Sequence, residues 1–167
     1  MRHNFKPYLN PIFIETGSLH GKGIEAARQA GFGKIISIEL SKEHWRYCRK
    51  LFTGDGRVSL YHGDSVKLLP LILACIDDKC TFWLDAHFSG DDTAQGPCSS
   101  PVLQEIEIIN NHHIKGHTII IDDMRLFRNP PPEWDLDFND KDIEKALEGY
   151  ELHYENGITP NDILIAQ

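Results

Sequence analysis

The sequence of 167 residues has no long apolar run and few cysteines. No run approaches the roughly 18 apolar residues that a membrane span needs, and residues 1–11 are polar, without the apolar stretch of a signal peptide. The four cysteines lack the CxxC spacing of metal or redox sites and the density of a disulfide scaffold. We therefore expect no membrane association and a reducing, cytoplasmic location. Cys75 and Cys80 have apolar neighbours, so we predict both to be buried thiols.

Basic residues are also scarce, since 17 Lys and Arg stand against 25 Asp and Glu, for a formal net charge of -8. This balance disfavours a broad phosphate-binding surface, so we expect no nucleic-acid partner. The hydrophobic share of 41% and the charged share of 25% are typical of globular proteins and exclude wholesale disorder. A chain of this length can build one core. We therefore predict that residues 1–167 form a single minimal domain, without a separate substrate domain.

Apolar, strand-like runs alternate with helical patterns along the chain. This order predicts an α/β fold in three layers, with helices on both faces of a parallel sheet. Ser41 is predicted to cap the second helix, and the third helix is predicted to begin near Pro70, because proline suits a first helical turn. The strand-like runs are residues 12–15, 34–40, 58–62, 80–84, 117–121, 150–154 and 162–166.

Acidic residues follow most of the strand-like runs. In an open parallel sheet the ligand site lies at the carboxyl ends of the strands, so we expect these acids along one edge. Clustered carboxylates are costly unless hydroxyl donors, amines or a cation neutralise them. The edge therefore predicts a ligand that carries such groups. The acids are Glu15, Glu39, Asp64, Asp85, Asp122 and Asp123.

A glycine-containing loop, ETGSLHGKG over residues 15–23, follows the first strand. Glycines let the backbone approach a ligand and turn sharply into a helix. The spacing G-x3-G-x-G differs from the G-x-G-x-x-G of dinucleotide binders. Glu39, about 20 residues further on, can accept hydrogen bonds from both ribose hydroxyls. Together these features predict an adenosine-type cofactor. The alternative is a tight strand-to-helix turn beside a surface acid.

The order of elements and three short segments resemble the class I S-adenosylmethionine-dependent methyltransferases. These segments are Glu15-x-Gly17, Ile38-Glu39-Leu40 and Gly63-Asp64-Ser65. The resemblance covers essentially the whole chain. It implies a Rossmann-like, seven-stranded, mostly parallel sheet that ends in an antiparallel hairpin. An acidic edge also suits the positive sulfonium and amino groups of this cofactor, whereas Glu15 would repel a pyrophosphate.

The resemblance further implies which residues bind S-adenosylmethionine. The loop from Glu15 to Gly21 would hold the methionine part, Glu39 would bind the ribose, and Asp64 and Ser65 would lie near the adenine. Leu19 stands where many members have a second, closely spaced glycine. The implied cofactor-binding residues are Glu15, Thr16, Gly17, Ser18, Leu19, Gly21, Glu39, Leu40, Asp64, Ser65 and Asp85.

A second acidic group is formed by Asp85 after the fourth strand and Asp122 and Asp123 after the fifth. Three oxygen ligands suit Mg²⁺, with Mn²⁺ or Ca²⁺ as alternatives. The pattern resembles the metal-dependent O-methyltransferases of the catechol and macrolide-sugar types. His87 is predicted to be the catalytic base, acting beside Asp85. In the alternative, Asp122 and Asp123 only turn the chain, and His87 is an ordinary loop residue.

We therefore expect metal-assisted O-methylation of a small polar molecule, with residues 87–99 and 127–140 recognising the substrate. A cofactor-binding protein without methyltransferase activity is one alternative, and a metal-dependent hydrolase or transferase on the same fold is another. A homo-oligomer, in which a neighbouring subunit closes the site, is a further possibility. Glu105 is expected to face the same cleft. His112, His113 and His117 are too loosely spaced to predict a metal site.

Overall fold

The structure, a computed structural model, describes residues 3–88, 96 and 98–167. A 3-10 turn at Lys6–Tyr8 precedes the first strand. The strands are β1 (Ile12–Thr16), β2 (Lys34–Glu39), β3 (Val58–His62), β4 (Cys80–Leu84), β5 (Thr118–Ile121), β6 (Leu152–Glu155) and β7 (Ile163–Ala166). The helices are α1 (Lys22–Ala30), α2 (Lys42–Leu51), α3 (Ser65–Leu73), α4 (Val102–Asn110), α5 (Met124–Arg128) and α6 (Asp140–Ala146).

The seven strands of the described residues form one sheet in the order β3-β2-β1-β4-β5-β7-β6. The first five are parallel to their neighbours, whereas β7 is antiparallel to both β5 and β6. This arrangement confirms the predicted mostly parallel sheet with its C-terminal antiparallel hairpin. Because parallel strands share a direction, the segments that follow β1 to β5 meet at one edge.

Alternate residues of each central strand enter two separate cores. Ile12 and Ile14 of β1 pack with α3, α4, α5 and α6 on one face. Phe13 packs with α1, α2 and the N-terminal turn on the other face. The period of two along a strand produces this division, and it confirms the predicted three layers. Within the described ranges, no helix is both long and apolar enough to cross a membrane.

The N-terminal ends of α2 and α3 are both capped by a side chain. Ser41 caps α2 as predicted, since its side chain accepts a hydrogen bond from the His44 amide. The prediction for α3 was wrong, because this helix begins at Ser65 and contains Pro70 in its interior. Asp64 caps it by accepting from the Val66 amide at 3.0 Å, which favours the earlier start over a proline-led one.

Two cysteine predictions have different outcomes. Cys80 is buried in β4 as predicted, but Cys75 is exposed, so that prediction was wrong. Cys75 lies two residues past the end of α3, exposed between Leu73 and Ile76, whose side chains are buried in the core. An apolar neighbourhood in the sequence therefore did not mean an apolar neighbourhood in space.

Candidate active site

A cavity of about 570 Å³ lies at the carboxyl ends of the central strands, within the range usual for small-molecule sites. Most of the residues singled out from the sequence line it. Four of the predicted cofactor-binding residues, Glu15, Thr16, Ser18 and Gly21, are buried and do not line it. Those that line it are Gly17, Leu19, Glu39, Leu40, Asp64, Ser65, Asp85, His87, Asp122 and Asp123.

Gly17 carries the chain over the end of the sheet in a conformation that favours glycine. Its φ is +87°, and its amide donates to the Ile38 carbonyl oxygen at 2.9 Å. A Cβ at this position would lie 2.5 Å from the carbonyl oxygen of Asp85. Any larger residue would therefore push apart the segments after β1 and β4, which form the floor of the cavity.

Glu39 is held in one orientation by the backbone. One carboxylate oxygen accepts from the Leu19 amide at 2.8 Å, and the other accepts from the Ser41 amide at 2.7 Å. A carboxylate has about four acceptor positions, so each oxygen keeps one for a ligand. Glu39 thus fixes the glycine loop and still offers two acceptors at the cavity wall.

Glu15 lies beneath this loop. Ser37 donates to its carboxyl group at 2.5 Å, and the Ser37 and Ser18 hydroxyl oxygens are 2.5 Å apart. Burial raises the pKa of Glu15 to about 8, so the group is mainly protonated at neutral pH. A Cβ on Gly23 would lie 1.8 Å from a Glu15 carboxyl oxygen, so the start of α1 closes over it. In this arrangement Glu15 supports the loop from below.

Asp64 and Ser65 occupy the start of α3 at the cavity wall. The Asp64 carboxylate caps the helix, and its second oxygen lies 3.6 Å from the Lys67 ammonium. Glu105 of α4 is buried nearby and accepts from the Thr16 hydroxyl at 3.3 Å. Its Oε1 has no hydrogen-bond partner among the described residues. Burial raises the pKa of Glu105 to about 7. Glu105 is thus beneath the cavity and does not line it.

His87 stands between two of the predicted acidic residues. Its Nδ1 is 3.5 Å from Asp85 Oδ1, and its Nε2 is 3.1 Å from Asp123 Oδ2. Burial and the charges of Asp122 and Asp123 raise the pKa of Asp85. Burial opposes ionisation of Asp123, but hydrogen bonds from His87 and Arg125 bring its pKa below the usual value. The imidazole therefore lies between the carboxylates of Asp85 and Asp123 at this edge.

The structure brings together a potential metal-binding group that differs from the predicted one. Ligand atoms of Asp85, His87 and Asp123 all lie within 4.8 Å of one another. Asp122 lines the same cavity but is not a member of this group. Its Oδ1 accepts from the Asp123 amide at 2.8 Å, and burial followed by the Asp123 charge raises its pKa to about 6.

Arg125 and Asp162 are site-supporting residues that the sequence analysis missed. The Arg125 guanidinium bridges Asp123 and Asp162, with 2.6 Å to the buried Asp162 carboxylate. Asp162 also accepts from the Ile158 amide at 3.1 Å. This chain of contacts connects the end of β5 to the loop before β7. No motif marks these residues, because the pairing joins the start of α5 to a loop that is distant in sequence.

The structure describes part of the two predicted substrate-recognition segments, residues 87–99 and 127–140. Residues 89–95 and 97 of the first segment lie outside the described residues. In the second segment, Trp134 donates its indole N–H to the Phe88 carbonyl oxygen at 2.9 Å. The Trp134 and His87 ring centroids are 5.6 Å apart. Trp134 thus packs directly behind the histidine of the site.

His112 and His117 form a buried structural pair, away from the cavity lining. His117 Nδ1 accepts from the Cys80 amide at 3.0 Å, which assigns the proton to Nε2. That N–H donates to His112 Nδ1 at 2.9 Å, and His112 Nε2 in turn donates to the Leu73 and Ile76 carbonyl oxygens. All four ring nitrogens are used, so this pair connects α3 and α4 to the sheet.

Comparison with solved structures identifies the fold. The O-methyltransferase TomG from Streptomyces achromogenes, involved in tomaymycin synthesis and solved with S-adenosylmethionine, superposes with a TM-score of 0.66 at 15% identity. An O-methyltransferase from Bacillus cereus in complex with S-adenosylhomocysteine gives 0.66 at 17% identity. The S-adenosylhomocysteine-bound methyltransferase PaMTH1 from Podospora anserina gives 0.66 at 14%.

These alignments span nearly the whole of this chain. The alignment with TomG covers 97% of this chain and 74% of the solved chain. The alignment with the Bacillus cereus enzyme covers 97% and 76%, and the alignment with PaMTH1 covers 98% and 74%. No family model matches the sequence, and neither does any curated protein. The chain therefore has the α/β fold of S-adenosylmethionine-dependent methyltransferases, as the resemblance implied.

Proposed function

We propose that this protein transfers the methyl group of S-adenosylmethionine to an oxygen atom of a small hydroxylated molecule. One observation carries the proposal: a cavity at the carboxyl ends of the strands has Glu39 at one side and Asp85, His87 and Asp123 at the other. The first side offers acceptors for a ribose, and the second offers groups that can position and deprotonate a hydroxyl. The solved O-methyltransferases of the same fold add support.

In the proposed complex, Glu39 accepts hydrogen bonds from the ribose hydroxyls, and Leu40 packs beside the nucleoside. Asp64 and Ser65 lie next to the adenine, and the Gly17–Leu19 turn lies next to the methionine part. Asp85 faces the positive end of the cofactor, where a carboxylate stabilises a sulfonium or an ammonium group. Glu15, Thr16, Ser18 and Gly21 act from beneath by holding this turn.

The chemical step is a displacement in line. The acceptor oxygen forms a bond to the methyl carbon while the carbon–sulfur bond breaks, and the sulfonium becomes a neutral thioether. In the metal-free protein, His87 takes the hydroxyl proton. Once protonated, its imidazolium can donate to both Asp85 and Asp123, which lie on its two sides.

A divalent ion forms the second part of the proposal. Asp85 and Asp123 present carboxylate oxygens within 4.8 Å of each other, and Asp122 supplies a further carboxylate at the same wall. This donor set fits a divalent cation, and Mg²⁺, Mn²⁺ or Ca²⁺ would neutralise part of its charge. When bound, such an ion lowers the pKa of a coordinated hydroxyl.

The test is formation of S-adenosylhomocysteine with a panel of catechols, sugars and other polyols, with and without divalent ions. The proposal expects turnover with at least one class. Replacing both Asp122 and Asp123 by Asn should abolish metal-dependent turnover and leave cofactor binding within about threefold, because they lie at the acceptor side. Unchanged turnover in that double variant would remove the metal from the proposal.

Two other functions are separated by the same assays. Cofactor binding without turnover over the whole panel would favour a binding protein or partner subunit. Metal binding and hydrolytic activity without any affinity for S-adenosylmethionine would favour a metal-dependent hydrolase on this fold. Four properties remain predictions from the sequence: the absence of a nucleic-acid partner, the cytoplasmic location, the single minimal domain and a homo-oligomer.

A further inference from the structure

His87 has a geometry that differs from that of a free catalytic base. Its side chain is only 6% exposed, whereas that of Asp85 is 32% exposed. Both ring nitrogens face carboxylate oxygens, at 3.5 Å and 3.1 Å. The ring also packs against Trp134, whose indole N–H is fixed on the Phe88 carbonyl oxygen. The imidazole is therefore held at the point where the two carboxylates converge.

The spacing of these three side chains fits one ion. Around an octahedral ion with bonds of about 2.1 Å, neighbouring ligand atoms are about 3 Å apart and opposite ones about 4.2 Å apart. The ligand atoms of Asp85, His87 and Asp123 all lie within 4.8 Å of one another, so small side-chain rotations would bring them to these values. Asp85 is the most exposed member and gives access from the cavity.

We propose that His87 is itself a metal ligand, so that the site is a two-carboxylate, one-imidazole centre that selects a divalent transition ion over Mg²⁺. An imidazole nitrogen is a poor ligand for Mg²⁺, which requires oxygen donors and loses water reluctantly. The same nitrogen strengthens binding of Mn²⁺, Fe²⁺, Co²⁺ or Zn²⁺. Asp122 lies outside this group and has a smaller part in holding the ion.

This assignment deepens the proposed function and rests on it for its catalytic meaning. A nitrogen that binds an ion has no lone pair for a substrate proton. His87 is therefore the base only in the metal-free protein, and in the loaded protein it positions the ion. The structural part of the inference, nitrogen ligation, can be tested without cofactor or acceptor.

The experiment measures the binding of Mn²⁺ and Mg²⁺ to the full chain by calorimetry, with pulsed electron paramagnetic resonance on the Mn²⁺-loaded protein. We expect Mn²⁺ to bind at least about tenfold more tightly than Mg²⁺, with the ¹⁴N modulation of a coordinated imidazole. His87→Gln should remove that modulation and weaken Mn²⁺ binding at least about tenfold, since even outer-shell changes cost 10–100-fold. Asp122→Asn should keep the modulation.

His113→Gln is the matched control, because His113 is exposed and pairs with Asp77 away from the cavity. It should leave both affinity and modulation unchanged. Equal affinities for Mg²⁺ and Mn²⁺, or an imidazole signal that persists in His87→Gln, would overturn the inference. If His87→Gln does not fold, the presence or absence of the ¹⁴N modulation in the Mn²⁺-loaded unaltered protein still decides. Titration with S-adenosylmethionine in parallel shows separately whether the proposed function holds.

Discussion

Replacing Gly17 by Ala should damage both the stability and the cofactor site. A non-glycine residue with a left-handed φ costs about 1–2 kcal/mol, and Gly17 has a φ of +87°. Its new Cβ would also lie 2.5 Å from the Asp85 carbonyl oxygen, where backbone must move. Such overpacking costs about 1–3 kcal/mol. We therefore expect a loss of about 2–5 kcal/mol, a large part of the 5–15 kcal/mol typical of a domain.

Gly31→Ala is the matched control, because Gly31 has a φ of +105° but a Cβ there would meet none of the described residues within 4 Å, its chain neighbours aside. It should lose only the conformational part, about 1–2 kcal/mol. Urea unfolding followed by tryptophan fluorescence measures both values. Gly17→Ala should also weaken S-adenosylmethionine binding more than about tenfold, whereas Gly31→Ala should not. Equal losses in the two variants would refute the close approach of Gly17 to the segment after β4.

Three further predictions concern buried carboxyl and imidazole groups. Gly23→Ala should displace the Glu15 carboxyl group, which would lie 1.8 Å from the new Cβ, and should lower the urea midpoint of unfolding. Gly33→Ala is the control and should leave the midpoint unchanged, because a Cβ there would have open space among the described residues. Glu39→Gln should weaken S-adenosylmethionine binding about 10–100-fold by calorimetry, since hydrogen bonds to charged groups contribute about 1.5–3 kcal/mol; a Kd within twofold of the unaltered protein would contradict it. Burial lowers the pKa of His117 to about 4 from 6.5, so the unfolded chain takes up its proton first as the pH falls. The free energy of unfolding should therefore keep its full contribution from His117 above pH 6.5 and fall by at most about 3 kcal/mol as the pH drops towards 4. His117→Gln should flatten the pH dependence of the unfolding free energy in this range.

The layers of the fold could be predicted because each central strand is a short apolar run bounded by polar turns. β4 and β5 are buried at every position, which is typical of central parallel strands. Helix starts were harder to predict, because several residues compete for the cap. Asp64 and Pro70 are both plausible starts for α3, and the hydrogen bond from the Val66 amide to Asp64, together with the burial of Leu69 in the core, shows the longer helix.

The acidic edge could be predicted from topology alone, since parallel strands end on the same side of a sheet. The detailed arrangement of the acids could not. The glycine-loop pattern predicts that Glu15 lies next to the loop, but the burial of Glu15 beneath the loop depends on the close approach of Gly23. His87 follows β4 by a few residues, but its position between two carboxylates depends on the long-range packing of Trp134. Such contacts leave no local pattern in the sequence.

The central claim is that the cavity binds S-adenosylmethionine through Glu39 and the Gly17 turn. Calorimetric titration of the folded protein with S-adenosylmethionine tests it most directly. We predict saturable binding with a Kd on the order of 1–100 μM, in the range of ordinary enzyme–substrate affinities, and strong weakening in Gly17→Ala. The absence of binding at millimolar cofactor, with the protein folded and with or without Mn²⁺, would contradict the account.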